Sequence, residues 1–348
     1  MKIILDVMGG DNPPEELVRG AVLALRELPN APELILVGDE GRIRKALRDQ
    51  GASAYEGKRV TVVNAEQVIT MEDDPFDVVR KKKNSSMAEA LRMLADGNGD
   101  AVVCTGNTGA LFTGASMIVR TVKGIRRAAI ASMIPFDRPM LLLDSGANVT
   151  VTTEYMEQFA FMGSVYMEKV MHIREPEVGL ANNGTEAHKG TPLQVETYQR
   201  LSAMEDIRFV GNIEGKDIPK GKCDVLVADG FTGNIILKLT EGMCSFLFKR
   251  LKQMFLSNTA TKLSALVLKG ELTKIKTQYD ASTYGGAPFL GISKPVIKAH
   301  GSSDAIAVKN AIRQAAAYAE TGVTDEIARR AERYLHKKPK DDADTAEQ

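Results

Sequence analysis

Seven apolar, β-like runs along this chain each stop abruptly at glycine with Asn, Asp or His. They are 3–11 (IILDVMGGD), 101–109 (AVVCTGNTG), 141–148 (LLLDSGAN), 178–186 (VGLANNGTE), 209–212 (FVGN), 225–234 (VLVADGFTGN) and 296–304 (VIKAHGSSD). Most lead straight into a helical pattern. Short apolar runs alternating with helices predict βαβ units around a parallel sheet. In open parallel sheets ligands sit beyond the carboxyl ends of the strands. Glycines there admit a ligand to the backbone, and short polar side chains orient it. The pattern therefore predicts one polar site, built from many loops on the same side of the sheet. Turn chemistry alone explains any single cluster, but it explains poorly why so many also carry Asn or Asp.

The same reading places strands near 2–6, 34–37, 60–63, 101–104, 129–133, 140–143, 177–181, 208–210, 224–228 and 296–299. Helices are expected after 12–14, after Asp39, at Asn84-Ser85, near Gly109, at Thr153, after Gly190, near Thr232 and at Ser303. Asn12, Thr153 and Ser302 suit N-caps, and Pro13 suits a first helical turn. The fold class is thus α/β, with a Rossmann-like parallel or mixed sheet flanked by helices. A single domain over 1–338 is expected, followed by a polar, disordered tail at 339–348.

One segment breaks the alternation. From Phe231 to Ile275 two amphipathic helices are predicted, with a turn around Ser257-Asn258-Thr259; this helical hairpin spans about 232–278. Phe255, Leu256, Leu263, Leu266 and Leu268 crowd the turn, among Lys252, Lys262 and Lys269. Such a hairpin packs its apolar faces in a core or dimer interface, or it protrudes and meets a membrane surface.

Composition narrows the function classes. Lys plus Arg equals Asp plus Glu, so the net charge is zero, which argues against nucleic-acid binding through bulk positive charge. Trp is absent and aromatic residues are few, so a stacking platform for bases is not expected. Cys104, Cys223 and Cys244 have no CxxC spacing and read as buried thiols in a reducing cytosol. No residue cluster has metal-ligand spacing. The chain opens directly on a strand, without a signal-peptide pattern. No apolar stretch approaches the roughly 18 residues that cross a bilayer.

Three groups of residues carry candidate chemistry. The run 80–86 (RKKKNSS) enters a helix, and basic side chains, hydroxyls and free helix N–H groups together favour an anion. Arg80 and Lys81 read as solvated charge; Lys83, Asn84, Ser85 and Ser86 read as phosphate contacts. The loop 182–191 (NNGTEAHKGT) offers Lys189 as a mobile cation, in an order that is not a P-loop. The third group is Asp6, Asp11, Asn107, Asp144, Asn148, Asp229, Asn234 and His300 at strand ends. About half of its carboxylates are expected to be helix caps. No GxGxxG follows the first strand, and no GxSxG nucleophile elbow is present.

These loops resemble the bacterial phosphate acyltransferase family, which makes acyl phosphate from acyl carrier protein thioesters and inorganic phosphate. The matching stretches are 6–11 (DVMGGD), 80–87 (RKKKNSSM), 106–110 (GNTGA), 143–148 (LDSGAN), 159–166 (FAFMGSVY), 211–215 (GNIEG), 229–234 (DGFTGN), 284–288 (YGGAP) and 299–304 (AHGSSD), in order over nearly the whole chain. Val7, Cys104-Thr105, Ser145 and Thr153 depart from the family pattern. The resemblance implies a fold like that of phosphotransacetylases and isocitrate dehydrogenases. It also implies a cytoplasmic homodimer that associates peripherally with anionic membrane. Catalytic roles are then expected for Lys189, Asp229, Asn234 and His300. Substrate or phosphate contacts are expected at Asp6, Gly9, Gly10, Lys83, Asn84, Ser85, Ser86, Asn107, Thr108, Asn148 and Asn212. Acyl carrier protein and phosphate would be the partners, with no cofactor beyond the phosphopantetheine that arrives on the carrier. A short-chain phosphotransacetylase using coenzyme A and a non-catalytic membrane scaffold are the competing readings.

Overall fold

Eleven short strands join into one sheet in the computed structural model, which describes residues 1–12, 14–279 and 281–336. The strands are β1 (Lys2–Asp6), β2 (Glu33–Gly38), β3 (Val60–Asn64), β4 (Ala101–Cys104), β5 (Ala129–Ile134), β6 (Met140–Leu143), β7 (Glu177–Asn182), β8 (Arg208–Glu214), β9 (Val225–Val227), β10 (Ala287–Leu290) and β11 (Val296–Lys298). Their order is β3-β2-β1-β4-β11-β10-β5-β6-β9-β7-β8. Continuous apolar strands such as the fully buried β4, β5 and β6 demand cover on both faces. That cover comes from α1 (Glu15–Glu27), α2 (Glu40–Asp49), α5 (Thr153–Lys169), α6 (Pro192–Ser202), α9 (Ala305–Glu320) and α10 (Val323–His336) on one face. On the other face lie α3 (Ser86–Ala95), α4 (Thr108–Gly114) and the start of α7 (Gly230–Phe255). The fold is α/β with a mixed sheet flanked by helices, as the apolar runs predicted.

Strand direction is where the structure corrects the sequence. Strands β3, β2, β1, β4 and β11 run parallel. Strand β10, absent from the expected set, then inserts antiparallel between β11 and β5. Strand β6 is antiparallel to β5, and β9, β7 and β8 follow β6. Three reversals separate β11 from β9, so the two halves of the sheet present their carboxyl ends at opposite edges of the ladder. The expected single edge carrying every polar cluster is overturned.

Local corrections follow the same elements. Pro14, Thr152 and Asp304 occupy the N-cap positions expected for Asn12, Thr153 and Ser302. Pro13 and the tail 339–348 lie outside the described residues. Helix α10 was not anticipated.

The hairpin is present. Helices α7 and α8 (Thr259–Gln278) are joined at 256–258, where Asn258 caps α8 through Thr261 N–H at 2.9 Å. At about 1.5 Å per residue α7 is roughly 39 Å long. Among the described residues nothing covers the hairpin tip: Leu256, Leu263, Leu266 and Leu268 are exposed, and Val267 is 85% exposed. Phe255 is half-buried rather than exposed, and so is Cys244 within α7, against the expectation of a buried thiol. Among the described residues no helix is long and apolar enough to cross a membrane.

Candidate active site

The first edge gathers the carboxyl ends of β1, β4 and β11 with the start of α3. Gly9 packs on the backbone of Gly106: a Cβ on Gly9 would stand 2.7 Å from Gly106 Cα, so the first loop tolerates no side chain there. Thr105 Oγ1 donates to Gly9 O at 2.8 Å, and Asp11 N–H donates to Gly301 O at 2.9 Å, locking three loops together. Asp6 is buried beneath them. Its carboxylate accepts Met8 N–H at 3.0 Å and the Cys104 thiol at 3.2 Å. Burial raises the Asp6 pKa and pushes the Cys104 thiol well above its ordinary value, so Cys104 is no nucleophile.

The basic run divides its labour. Lys82 holds Asp73 Oδ2 at 2.6 Å and Val68 O at 2.9 Å, so it is structural. Ser85 Oγ caps α3 by accepting Ala88 N–H at 3.3 Å, a cap rather than a phosphate contact. Lys83 and Asn84 are exposed. Ser86 Oγ is buried beside the Asp6 carboxyl, close enough to lower that group's proton affinity, yet it is not aligned for a hydrogen bond with any partner. A buried hydroxyl without a partner at a helix N-terminus is an opening for an anion. Asn107 is occupied: Oδ1 accepts Ala110 N–H at 3.0 Å, and Nδ2 reaches the carbonyls of Thr70, Met71 and Asp73 at 3.2 Å. Thr108 beside it is exposed.

Lys298, not singled out from the sequence, belongs to this edge. It is 9% exposed, and its ammonium donates to Thr105 O at 3.1 Å and to Ala299 O, with a third N–H to spare. Burial lowers its pKa, and Asp11 opposes that shift. The signal was available: a lysine inside the apolar run Val296-Ile297-Lys298-Ala299. His300 Nδ1 accepts Ser302 N–H at 3.3 Å and lies 2.8 Å from Ser302 Oγ. With Nδ1 accepting, a neutral ring carries its proton on the other nitrogen, Nε2.

The second edge lies at the ends of β6 and β9. The buried Asp144 carboxylate accepts Ile130 N–H at 3.0 Å, Gly146 N–H at 3.2 Å, Asn148 N–H at 2.6 Å and Asn148 Nδ2 at 2.9 Å. Asn148 Nδ2 also donates to Ala128 O at 2.8 Å, so its amide nitrogen is structural. Asp229 is the N-cap of α7, holding Thr232 N–H at 2.8 Å and Thr232 Oγ1 at 2.7 Å. Asn234 is exposed, with Nδ2 3.4 Å from Ser145 O. Farther along this edge, Asn212 Nδ2 donates to Glu186 O at 2.9 Å while its Oδ1 is buried without a partner. Asn182 Nδ2 holds Lys189 O at 3.0 Å. Lys189 is exposed; the backbone N–H of Glu186 first, and then the Lys189 charge, lower the Glu186 pKa.

Asp229 and Asn234 therefore do not share a strand edge with His300, and among the described residues no hydrogen bond joins them. Twist of about 20–25° per strand turns β9 by roughly 80–100° relative to β11. Helix α7 crosses between the edges: it begins at Asp229, and Lys238, two turns on, is near enough to Lys298 to lower its pKa further.

Comparison with known proteins agrees with this geometry. Residues 1–326 match the family described as Fatty acid synthesis protein. The phosphate acyltransferase of Clostridium novyi (strain NT) is 42% identical over 328 residues, covering 94% of this chain and 97% of that one. The phosphate acyltransferase of Bacillus licheniformis is 45% identical over 317 residues, covering 90% and 93%. In fold, the chain resembles a phosphotransacetylase from Streptococcus pyogenes with a TM-score of 0.61 at 19% identity, covering 92% and 94%. It also resembles a branched-chain phosphotransacylase from Enterococcus faecalis V583 with a TM-score of 0.56 at 14% identity, covering 92% and 99%. With a match over most of its length, this chain belongs to the phosphate acyltransferase family and is an acyltransferase.

Proposed function

We propose that the enzyme transfers a long-chain fatty acyl group, reversibly, from acyl carrier protein to inorganic phosphate. The acyl phosphate formed then serves glycerol 3-phosphate acylation in phospholipid synthesis. The observation that carries this reading is the first edge, where the unpartnered Ser86 hydroxyl, the α3 N-terminus and the Lys298 ammonium surround glycine backbone. A tetrahedral dianion suits such a site, because free N–H groups and a cation both favour negative charge.

Phosphate is itself the nucleophile. One of its oxygens attacks the thioester carbonyl, the carbonyl oxygen becomes the oxyanion, and the carbon–sulfur bond breaks as the pantetheine thiolate leaves. Holding phosphate in line and stabilising the oxyanion is what the protein must supply. His300, with its proton on Nε2, donates a hydrogen bond to the sulfur as it leaves as thiolate. Lys189 adds a mobile cation from the second edge, and Asn212 Nδ2, bonded to Glu186 O, orders the loop that bears it. Asp229 acts by starting α7, not by touching substrate.

The hairpin supports a peripheral site at the cytoplasmic face of the membrane. Lys252, Lys262 and Lys269 flank an exposed apolar tip and meet anionic headgroups while Leu256, Leu263, Leu266 and Leu268 enter the interface. The exposed stripe Ile235, Leu239, Met243 and Phe246 along α7 fits a second copy of the chain in a homodimer. The phosphotransacetylase fold keeps a coenzyme A, short-chain reading in view. The test is to supply hexadecanoyl-(acyl carrier protein) or acetyl coenzyme A with phosphate, and to trap acyl phosphate with hydroxylamine. Phosphate-dependent hydroxamate from the long-chain carrier substrate supports the proposal. Turnover of acetyl coenzyme A alone, or none with either, overturns it.

A further inference from the structure

On the face of the sheet opposite Asp6 and Ser86, a cavity of about 410 Å³ opens between α5 and α9 over β5, β6 and β10. Met133, Leu141, Val170, Met171, Pro288 and Ala317 line it. Its volume lies within the range of about 300–1,000 Å³ typical of small-molecule pockets. Two of the polar side chains in its wall are paired. Gln314 Nε2 donates to Tyr166 Oη at 2.9 Å, and Gln314 Oε1 accepts Gly286 N–H at 2.7 Å. A lining that is mostly apolar, with few polar groups, favours hydrocarbon. Two methionines in the wall adapt to a flexible occupant.

The rim has a charge. Arg313 is exposed and donates to Thr283 O at 2.7 Å; among the described residues it pairs with no carboxylate. Its remaining guanidinium N–H groups are free to hold an anion. The acyl-transfer residues project from the other face: Ile297 packs with the α5/α9 core, whereas its neighbour Lys298 turns away. We propose that this cavity is a second lipid site, taking one alkyl chain whose anionic head, carboxylate or phosphate, sits on Arg313. Thr283 and Tyr284 on the rim lie a few residues beyond the end of α8 at Gln278.

The test uses the full chain and two probes, dodecanoate and dodecyl phosphate, with dodecyltrimethylammonium as the cationic control. Calorimetry should show saturable binding of an anionic probe, tightening about fourfold per added methylene until the cavity is full. The control should bind at least tenfold more weakly. Ala317→Trp, which fills the cavity, should abolish binding, and Arg313→Gln should erase the preference for the anionic head. Leu256→Glu with Leu266→Glu should leave it intact. If Ala317→Trp does not fold, the wild-type chain and a dodecyl phosphate carrying a terminal diazirine decide. Labelling at 133, 166–171 or 313–317 supports the site, and labelling confined to the hairpin tip or to 80–110 overturns it. Binding that ignores head charge also overturns it. The weaker of the two anionic probes excludes its head group as the natural one.

Discussion

Gly233→Ala probes the join between α7 and the second edge. An ideal Cβ at Gly233 would stand 1.9 Å from the Asp144 carbonyl oxygen and 3.0 Å from its carbon. Both partners are backbone, so no rotamer relieves the clash. Restoring a 3.4 Å contact moves the first turn of α7 by about 1.5 Å. That shift breaks the 2.8 Å bond from Gly230 N–H to Asn148 O and strains the Asp144 network behind it. Overpacking of this kind costs about 1–3 kcal/mol, and a lost buried hydrogen bond costs roughly 0.5–1.5 kcal/mol more. A total of about 1.5–4.5 kcal/mol lowers the melting temperature by roughly 2–6 °C in a chain of this length. Gly242, nine residues along the same helix, is the control. Nothing lies within 4 Å of a Cβ there, so Gly242→Ala should stabilise the helix by about 0.5–1 kcal/mol. Scanning calorimetry of both variants beside the wild type reads the difference. If Gly233→Ala melts with the wild type, or both variants move alike, the close approach of α7 to Asp144 is wrong.

Four further outcomes follow from the same contacts. Ser86→Ala removes a hydroxyl that makes no aligned hydrogen bond, so it should raise the KM for phosphate about 10-fold or more with at most a small loss of stability through Asp6; an unchanged KM would leave Ser86 outside the anion site. Lys189→Ala should lower turnover about 10- to 100-fold, again without loss of stability, because the side chain is exposed; near-normal turnover removes Lys189 from the mechanism. Leu256→Glu with Leu266→Glu should abolish flotation with anionic vesicles while turnover of a carrier-bound substrate survives, and persistent flotation would reassign the tip. Asp217, paired with Lys220 and Lys222, is held at about 2, below its ordinary 3.8. Its depressed pKa contributes stability that is present above pH 3.8 and lost as pH falls toward about 2. Acid titration of Asp217→Asn should therefore show a shallower decline across that window, and an identical decline would mean that the two lysines do not hold the carboxylate.

The strands were legible because each is a nearly continuous apolar run, and burial on both faces leaves no other use for such runs. Strand β10 was not, since Tyr284-Gly285-Gly286 and Pro288 read as turn chemistry. Helix α10 has only a sparse apolar pattern, with Val323, Ile327 and Ala331 as its buried positions. The larger omission was direction. Apolar runs have no polarity, so the insertion of β10, which sends the two halves of the sheet opposite ways, is decided by tertiary pairing alone. For the same reason Asp229 and His300 looked like neighbours. Within the site, a strand-end Asn, Asp or Ser reads equally as a cap or as a ligand. Only geometry separates Ser85 and Asn107, whose side chains are used as caps, from Ser86, whose hydroxyl is unused. Lys298 escaped notice because a single charge inside an apolar strand gives no motif.

Attack by a phosphate oxygen on the acyl carbon, with no free carboxylate on the way, is the central claim, and isotope retention tests it most directly. Phosphate labelled with oxygen-18 at every position is supplied with hexadecanoyl-(acyl carrier protein), and the acyl phosphate is weighed intact by mass spectrometry. The expected product keeps every labelled oxygen, including the one that bridges carbon and phosphorus. A product short of one label, or unlabelled fatty acid in its place, would contradict the account.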